Sequence, residues 1–220
     1  MDLSNSISTV IPSVEGRVLQ VLARTAMPLS GTRIASFIPT ATREGVRRAL
    51  HRLVDSGLVI AESAPPAILY RGNADHLLWP AVAQLMRDAD QIVHLLKRRA
   101  VSFTEMLFPD ATERERLTLA LFGSVARGDS GPDSDIDVLL IAPDDIDTGR
   151  VDGLIATLID GFGAATGNDA NVYALTRSRF DELVAQDDPM IPSWTADATV
   201  FHGPDFRRRL RGARWDERWR

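Results

Sequence analysis

Residues 122–138 read FGSVARGDSGPDSDIDV, and the fold turns on how this stretch divides. To its left, Leu117-Thr118-Leu119-Ala120-Leu121-Phe122 is a short apolar run with strand character. To its right, Val138-Leu139-Leu140-Ile141-Ala142 is another. Gly123-Ser124 ends the first run and opens a short helix, expected over Ser124–Asp129. Gly128 and the Asp-Ser-Gly-Pro-Asp-Ser run of 129–134 turn the chain back into the second strand. Asp135 and Asp137 are two residues apart, so on a strand both carboxylates face one side while Ile136 enters the core. Crowded carboxylates repel unless a proton or a cation intervenes. A hard divalent ion, Mg²⁺ or Mn²⁺, suits them, because it shares oxygen ligands with substrate phosphates. Glycine at 123 lets a phosphate approach the backbone, helix N-terminal N–H groups attract anions, and the Ser124 hydroxyl offers one more bond. Arg127 lies one turn on, placed for a phosphate or for a structural ion pair. Ser134 caps the turn or braces Asp135, and Asp129 and Asp133 read as solvated loop residues.

The segments Gly123-Ser124-Val125-Ala126-Arg127-Gly128 and Ser134-Asp135-Ile136-Asp137 resemble the signature of the polymerase-beta-type nucleotidyltransferase superfamily, and most of all its small minimal-nucleotidyltransferase branch. The resemblance implies metal ions on Asp135 and Asp137 as catalytic carboxylates, with the phosphates of a nucleoside triphosphate at Gly123, Ser124 and Arg127. A nucleotidyl group passes to a hydroxyl and pyrophosphate leaves, which is charge neutralisation plus in-line positioning. It also implies a third carboxylate on a later strand. The next strand, Asn171-Val172-Tyr173-Ala174-Leu175-Thr176, carries Asn171 there, a neutral ligand and a poor base. Asp169 is the nearest acid, on the same face if the strand reaches back to it. Metal ligands are therefore Asp135 and Asp137, with Asp169 or Asn171 as the third. Nucleotide and metal binding is the expectation; efficient turnover is not.

Working outward, the chain has 220 residues, 45% hydrophobic and 25% charged, with no cysteine: a globular protein of two small domains without disulfides or thiolate metal sites. No apolar run approaches the roughly 20 residues of a membrane helix. Met1-Asp2-Leu3-Ser4-Asn5-Ser6 lacks the basic start and apolar stretch of a signal peptide, so a cytoplasmic location is expected. The net charge of −5 is unevenly spread: +3 over 12–75, 0 over 76–117, −12 over 118–205 and +5 over 206–220. Only the first module has the charge to meet nucleic acid.

That module reads as three helices and a hairpin. Val14, Val18, Leu19, Val21 and Leu22 mark the first helix, and Ser30 caps a short second one, Gly31 to Phe37. The third starts at Thr40 or Thr42 and ends at Gly57. Val46, Leu50, Leu53 and Val54 form its buried stripe, with Arg43, Arg47, Arg48 and His51 on the other face. Leu58–Ala61 and Ile68–Arg71 are two strands around Ser-Ala-Pro-Pro. The order resembles winged helix-turn-helix regulators of the MarR and ArsR kind, whose third helix enters the major groove of double-stranded DNA. Thr42, Arg43 and Arg47 are then the candidates for base contact, and Arg48 or Arg52 for phosphate.

Asp75 to Met106 reads as one long helix with Val82, Leu85, Met86, Ala89, Val93 and Leu96 in a stripe, either a connector packed on its neighbours or a homodimer seam. Val151 to Phe162 is an amphipathic helix, Ser178 to Gln186 a shorter one, and Thr199 to Gly203 a last strand with His202 structural. The tail to Arg220, with seven Arg plus Trp215 and Trp219, is either disordered or bound to nucleic acid, to the acidic module or to a partner.

The expected fold is α+β: a winged helix over 1–75, a helical connector over 76–116, a nucleotidyltransferase-like α/β domain with a small mixed sheet over 117–205, and a basic tail over 206–220. The whole resembles bacterial fusions of a winged helix to a minimal nucleotidyltransferase domain. The resemblance implies Mg²⁺-dependent nucleotidyl transfer from a triphosphate to a protein or small-molecule hydroxyl, with a partner toxin as one candidate acceptor, as for antitoxins of this kind. The alternative is a transcriptional regulator that binds DNA and senses nucleotide without efficient catalysis.

Overall fold

The computed structural model describes residues 1–215. It divides into two compact units, Asn5–Ile92 and the chain from Val93 onward together with Met1–Ser4.

The first unit contains α1 (Ile7–Val10), α2 (Val14–Ala23), β1 (Leu29–Ser30), α3 (Gly31–Ser36), α4 (Arg43–Asp55), β2 (Val59–Ala64), β3 (Ala67–Gly72) and α5 (Trp79–Asp90). The strands form an antiparallel sheet ordered β1-β3-β2. Two helix starts are fixed by side-chain caps: the Ser30 hydroxyl accepts from Arg33 N at 3.2 Å, and the Thr42 hydroxyl from Gly45 N at 3.0 Å. Thr42, rather than Thr40, therefore begins α4. Val46, Leu50 and Leu53 of α4 are buried with Val18 and Leu22 of α2, Ile34 of α3 and Met86 of α5. Each such side chain stabilises by about 1.5–3 kcal/mol. The hairpin strands run longer than expected, to Ala64 and from Ala67, because pairing continues to the Ala64↔Ala67 register on either side of Pro65-Pro66.

The expected single helix from Asp75 to Met106 is two. Gln91 leaves the helical region (φ −102°, ψ 9°) and separates α5 from α6 (Ile92–Leu107). Asp88 and Asp90 place negative charge at the carbonyl end of α5, where the helix dipole disfavours it. Asp90 is instead held from outside, accepting from Gln20 Nε2 at 2.6 Å and Arg24 Nε at 2.8 Å. Met86 is buried in the first unit's core, and Val82, Leu85 and Ala89 pack against it. That half of the apolar stripe packs within its own unit.

The second unit continues with α7 (Ala111–Arg114), β4 (Thr118–Phe122), α8 (Gly123–Arg127), β5 (Ile136–Ala142), α9 (Thr148–Thr166), β6 (Ala170–Thr176), α10 (Arg177–Ala185), α11 (Met190–Asp197), β7 (Thr199–His202) and a 3₁₀ turn, Phe206–Arg211. The sheet is mixed, ordered β6-β5-β4-β7, with only β5 and β6 parallel. The parallel pair needs a crossover, which α9 supplies. Alternation sorts the sheet's side chains onto two buried faces. Ala120, Leu139 and Ile141 pack with Phe180, Leu183, Trp194 and Phe206, whereas Leu119, Leu121, Val138 and Leu140 are buried on the opposite face. His202 Nε2 bonds Arg114 O at 3.0 Å, a structural role. The tail, as far as it is described, is packed: Phe206 is fully buried, Arg209 pairs with Asp181 at 2.8 Å, and Trp215 stacks edge-on against Phe180 at 5.3 Å. These contacts fall on the acidic module of the same chain. Trp219 lies outside the described residues. Among the described residues no helix is long and apolar enough to cross a membrane.

Candidate functional site

Three neighbouring strands bring the candidate residues to one end of the mixed sheet. Phe122, the last residue of β4, is paired with Asp137 of β5, and Asp137 with Asn171 of β6. Gly123 follows Phe122 and takes a left-handed φ of +69° at the strand-to-helix junction. It is pressed against Asp137: a Cβ added to Gly123 would lie 2.5 Å from Asp137 Oδ2. The position needs glycine twice, for its φ and for the approach. Ser124 follows it in the first turn of α8, whose N–H groups have no partners inside the helix. Gly128, at φ +78°, stops the helix after one and a half turns.

Asp135 stands immediately before β5 and is exposed; Asp137 is half-buried. Asn171 joins them. Its Nδ2 donates to Asp135 Oδ2 at 3.1 Å and Asp137 Oδ1 at 3.4 Å. One amide group thus reaches both carboxylates, with its positive end where a cation would neutralise them. Burial pushes the Asp137 carboxyl above its ordinary range; the Asn171 bond pulls the other way, and the Asp135 charge adds to the rise. Asp169 lies just outside β6 and contributes its backbone carbonyl to Ile136 N at 2.9 Å. Among the described residues no group of three or more His, Cys, Asp or Glu side chains is gathered to hold a metal ion. The site's donors are two carboxylates and an amide.

Arg127 carries two ion pairs. Its Nη1 donates to Asp197 at 2.6 Å and its Nε to Asp129 at 3.2 Å, tying α8 to the end of α11. The ion pair is one of the two roles that the position of Arg127 in the sequence allows. The partner, Asp197, carries no signal in the sequence, being 70 positions away in an unremarkable helix end.

Asn168 is a second residue that sequence reasoning passes over. It is buried, and its Nδ2 lies 3.2 Å from Pro132 O, 2.9 Å from Ser134 O and 3.0 Å from Met1 O. Ser134 Oγ in turn accepts from Gly131 N at 2.8 Å. The turn that delivers Asp135 is therefore held from beneath by Asn168 and from within by Ser134. The only hint in the sequence is an asparagine following the helix-ending Gly167.

In the first unit, Thr42, Arg43, Arg47, Arg48 and Arg52 are all exposed on α4. They are not equally available. Arg47 donates to Glu44 through Nε at 2.8 Å and Nη2 at 2.7 Å, and Arg48 lies 3.9 Å from the same carboxylate. The Arg47 bonds hold Glu44 below the usual carboxylate range. Arg52 is bound to Glu15 and braces α4 against α2. Arg43 and Arg47 line a groove of about 470 Å³ with Ser30, Thr32, Leu50, Ile68 and Tyr70, between α4 and the hairpin.

Comparison with known proteins adds one firm likeness. Residues 107–175 match the family model described as "Nucleotidyltransferase domain", a stretch that contains Gly123, Ser124, Asp135, Asp137 and Asn171. A region similar to nucleotidyltransferase domains of the polymerase-beta type therefore lies in the second unit. No curated protein matches the sequence. Among solved structures, the archaeal chromatin protein TrmBL2, described as showing a novel mode of DNA binding, matches at 14% identity over 84% of this chain and 75% of that one, with a TM-score of 0.29. At that score the two backbones do not superpose as one fold, and the likeness says nothing about what this chain binds.

Proposed function

We propose that the second unit binds a nucleoside triphosphate with a divalent metal, Mg²⁺ in the first instance, and transfers its nucleotidyl group to a hydroxyl of a protein or small molecule. The observation that carries this reading is the contact of Gly123 with Asp137, beside the Asp135–Asn171–Asp137 cluster. It sets a side-chain-free strand-to-helix junction against two converging carboxylates. The junction admits a phosphate to the backbone, and the Ser124 hydroxyl adds a donor.

The donor set fits a metal that arrives with its substrate. Asp135 and Asp137 would hold it, and a hard octahedral ion would complete its shell from phosphate oxygens and water. When bound, the ion supplies charge neutralisation for the triphosphate and polarises the reacting phosphorus. This chain's own residues orient the phosphates at Gly123-Ser124, and Asn171 holds the two carboxylates in place. Asn171 offers a neutral ligand and no base, so any proton on the attacking hydroxyl must leave by way of Asp135, Asp137 or water. Slow turnover follows from that deficit.

A second reading has an observation of its own. In the first unit α2, α3, α4 and the β2–β3 hairpin follow the element order of a winged helix, with Thr42 and Arg43 at the exposed N-terminal turn of α4. In this reading α4 enters the major groove of double-stranded DNA, and the nucleotide site serves as a sensor. The deciding experiment incubates the protein with Mg²⁺, each labelled triphosphate and a cell lysate, beside an Asp135→Ala/Asp137→Ala variant. Label transferred or pyrophosphate released by the wild type alone supports transfer. Triphosphate binding without either leaves the sensor.

A further inference from the structure

Asn171 is not the only side chain that β6 presents beside the carboxylates. Tyr173 lies two residues further on, on the same face and roughly 7 Å along the strand. It is paired with Leu139 as Asn171 is paired with Asp137. Leu139 is fully buried, and a large aromatic on that face would be expected to follow it into the core. Tyr173 remains 45% exposed. What it does contact is Trp194 of α11, fully buried, at 5.7 Å between ring centroids and 64° between planes. Trp194 leans in turn on Phe122 at 6.2 Å, the residue that precedes Gly123. A rigid aromatic wedge thus runs from the Gly-Ser junction to Tyr173 and props the tyrosine ring from one side while its remainder stays open.

Across the sheet, the order is Gly123-Ser124 at the end of β4, Asp137 on β5, then Asn171 and Tyr173 on β6. A nucleotide has the same order: phosphates, the metal-bridged region, and a flat base spaced off by the ribose. We propose that Tyr173 is the platform on which the base of the bound nucleotide stacks, and that the preferred substrates are purine nucleoside triphosphates. The inference rests on the nucleotide site proposed above and adds to it the residue that reads the base. Stacking is sequence-tolerant but grows with the size of the π-face, so it favours purine over pyrimidine. Trp194 and Phe122 act as positioning residues that fix the ring.

The test measures binding of Mg²⁺-purine triphosphate, Mg²⁺-pyrimidine triphosphate and Mg²⁺-tripolyphosphate to the full chain and to Tyr173→Phe, Tyr173→Leu and Tyr173→Ala. Leucine keeps an apolar contact for Trp194 and so guards against simple unfolding. The expected result is loss of about ten-fold or more in purine triphosphate affinity for Leu and Ala, retention for Phe, and unchanged tripolyphosphate affinity throughout. The purine-over-pyrimidine preference should shrink in the same variants. Unchanged purine binding in Tyr173→Leu, with tripolyphosphate still bound, overturns the base platform and leaves the phosphate site standing. Equal loss of tripolyphosphate affinity overturns it too, by making Tyr173 structural. A wild type that binds neither triphosphate nor tripolyphosphate overturns the nucleotide site and the platform together.

Discussion

Gly123 and Asp137 are packed so closely that no side chain fits between them, 2.5 Å separating the position of a Cβ on Gly123 from Asp137 Oδ2. Gly123→Ala must therefore both strain a left-handed residue and displace the carboxylate. We expect a loss of about 1–3 kcal/mol from the backbone alone, read as a lower denaturation midpoint. Triphosphate binding should fall further than stability does. A variant as stable as the wild type that binds as tightly would contradict the close approach.

The Asp137 carboxyl gives the fold a pH dependence of defined sign. Its pKa is raised in the folded state, chiefly by burial. The folded protein then binds more protons than the unfolded chain between the ordinary Asp pKa and the raised value, and stability falls as pH rises through that window. Comparing wild type with Asp137→Asn across it should show the wild type losing stability relative to the variant as pH increases. The opposite slope would mean the carboxylate is stabilised, not penalised, by its surroundings.

Asn171→Asp restores a third acid to the cluster. Without metal, three carboxylates then crowd where an amide had bridged two, and the melting temperature should drop. With Mg²⁺ the order should reverse, because ligand charge raises affinity; metal binding on the order of ten-fold tighter is expected. Thermal melts with and without Mg²⁺ measure both. Equal Mg²⁺-induced shifts in the two proteins would remove Asn171 from the metal's surroundings.

Asn168→Ala should loosen the turn that delivers Asp135. The carbonyls of Pro132 and Ser134 lose their shared donor, for a loss of about 1–3 kcal/mol. Hydrogen exchange in residues 130–136 reports it locally. Protection unchanged there would place the support of Asp135 elsewhere.

For the first unit, Arg43→Ala, as the loss of a base contact, should cost about 1–3 kcal/mol of DNA affinity and relax the sequence preference. Arg52→Ala should instead show its larger effect on stability, since Arg52 is held by Glu15. An identical pair of phenotypes would mean that the Glu15 contact does not distinguish them.

How much of this was legible in the sequence depends on the range of the interaction. The two strands flanking 122–138, the glycine junction at 123 and the convergence of Asp135 with Asp137 follow from local pattern, because alternation and turn chemistry act over a few residues. So does a threonine start for α4, narrowed from Thr40 or Thr42 to Thr42 by its bond to Gly45. The break at Gln91 was not legible, because the apolar stripe continues through it. At the end of α5, Asp90 is held by Gln20 and Arg24, 70 and 66 positions away. The same holds for Arg127 with Asp197, for Asn168 under the 132–134 turn, and for a tail that folds back onto Phe180. Asn171 was visible as a missing acid, but its bond to both carboxylates needed the parallel register of β5 and β6.

The central claim is that Asp135 and Asp137 hold a metal-bound triphosphate against the Gly123-Ser124 junction. Calorimetric titration of the full chain with triphosphate, with and without Mg²⁺, tests it most directly when repeated on Asp135→Asn/Asp137→Asn, which keeps the side-chain shape and removes the charge. The account predicts Mg²⁺-dependent binding by the wild type and its loss in the double variant, with the variant folded and at least as stable. Binding of equal strength without Mg²⁺, or retained in the variant, would contradict it.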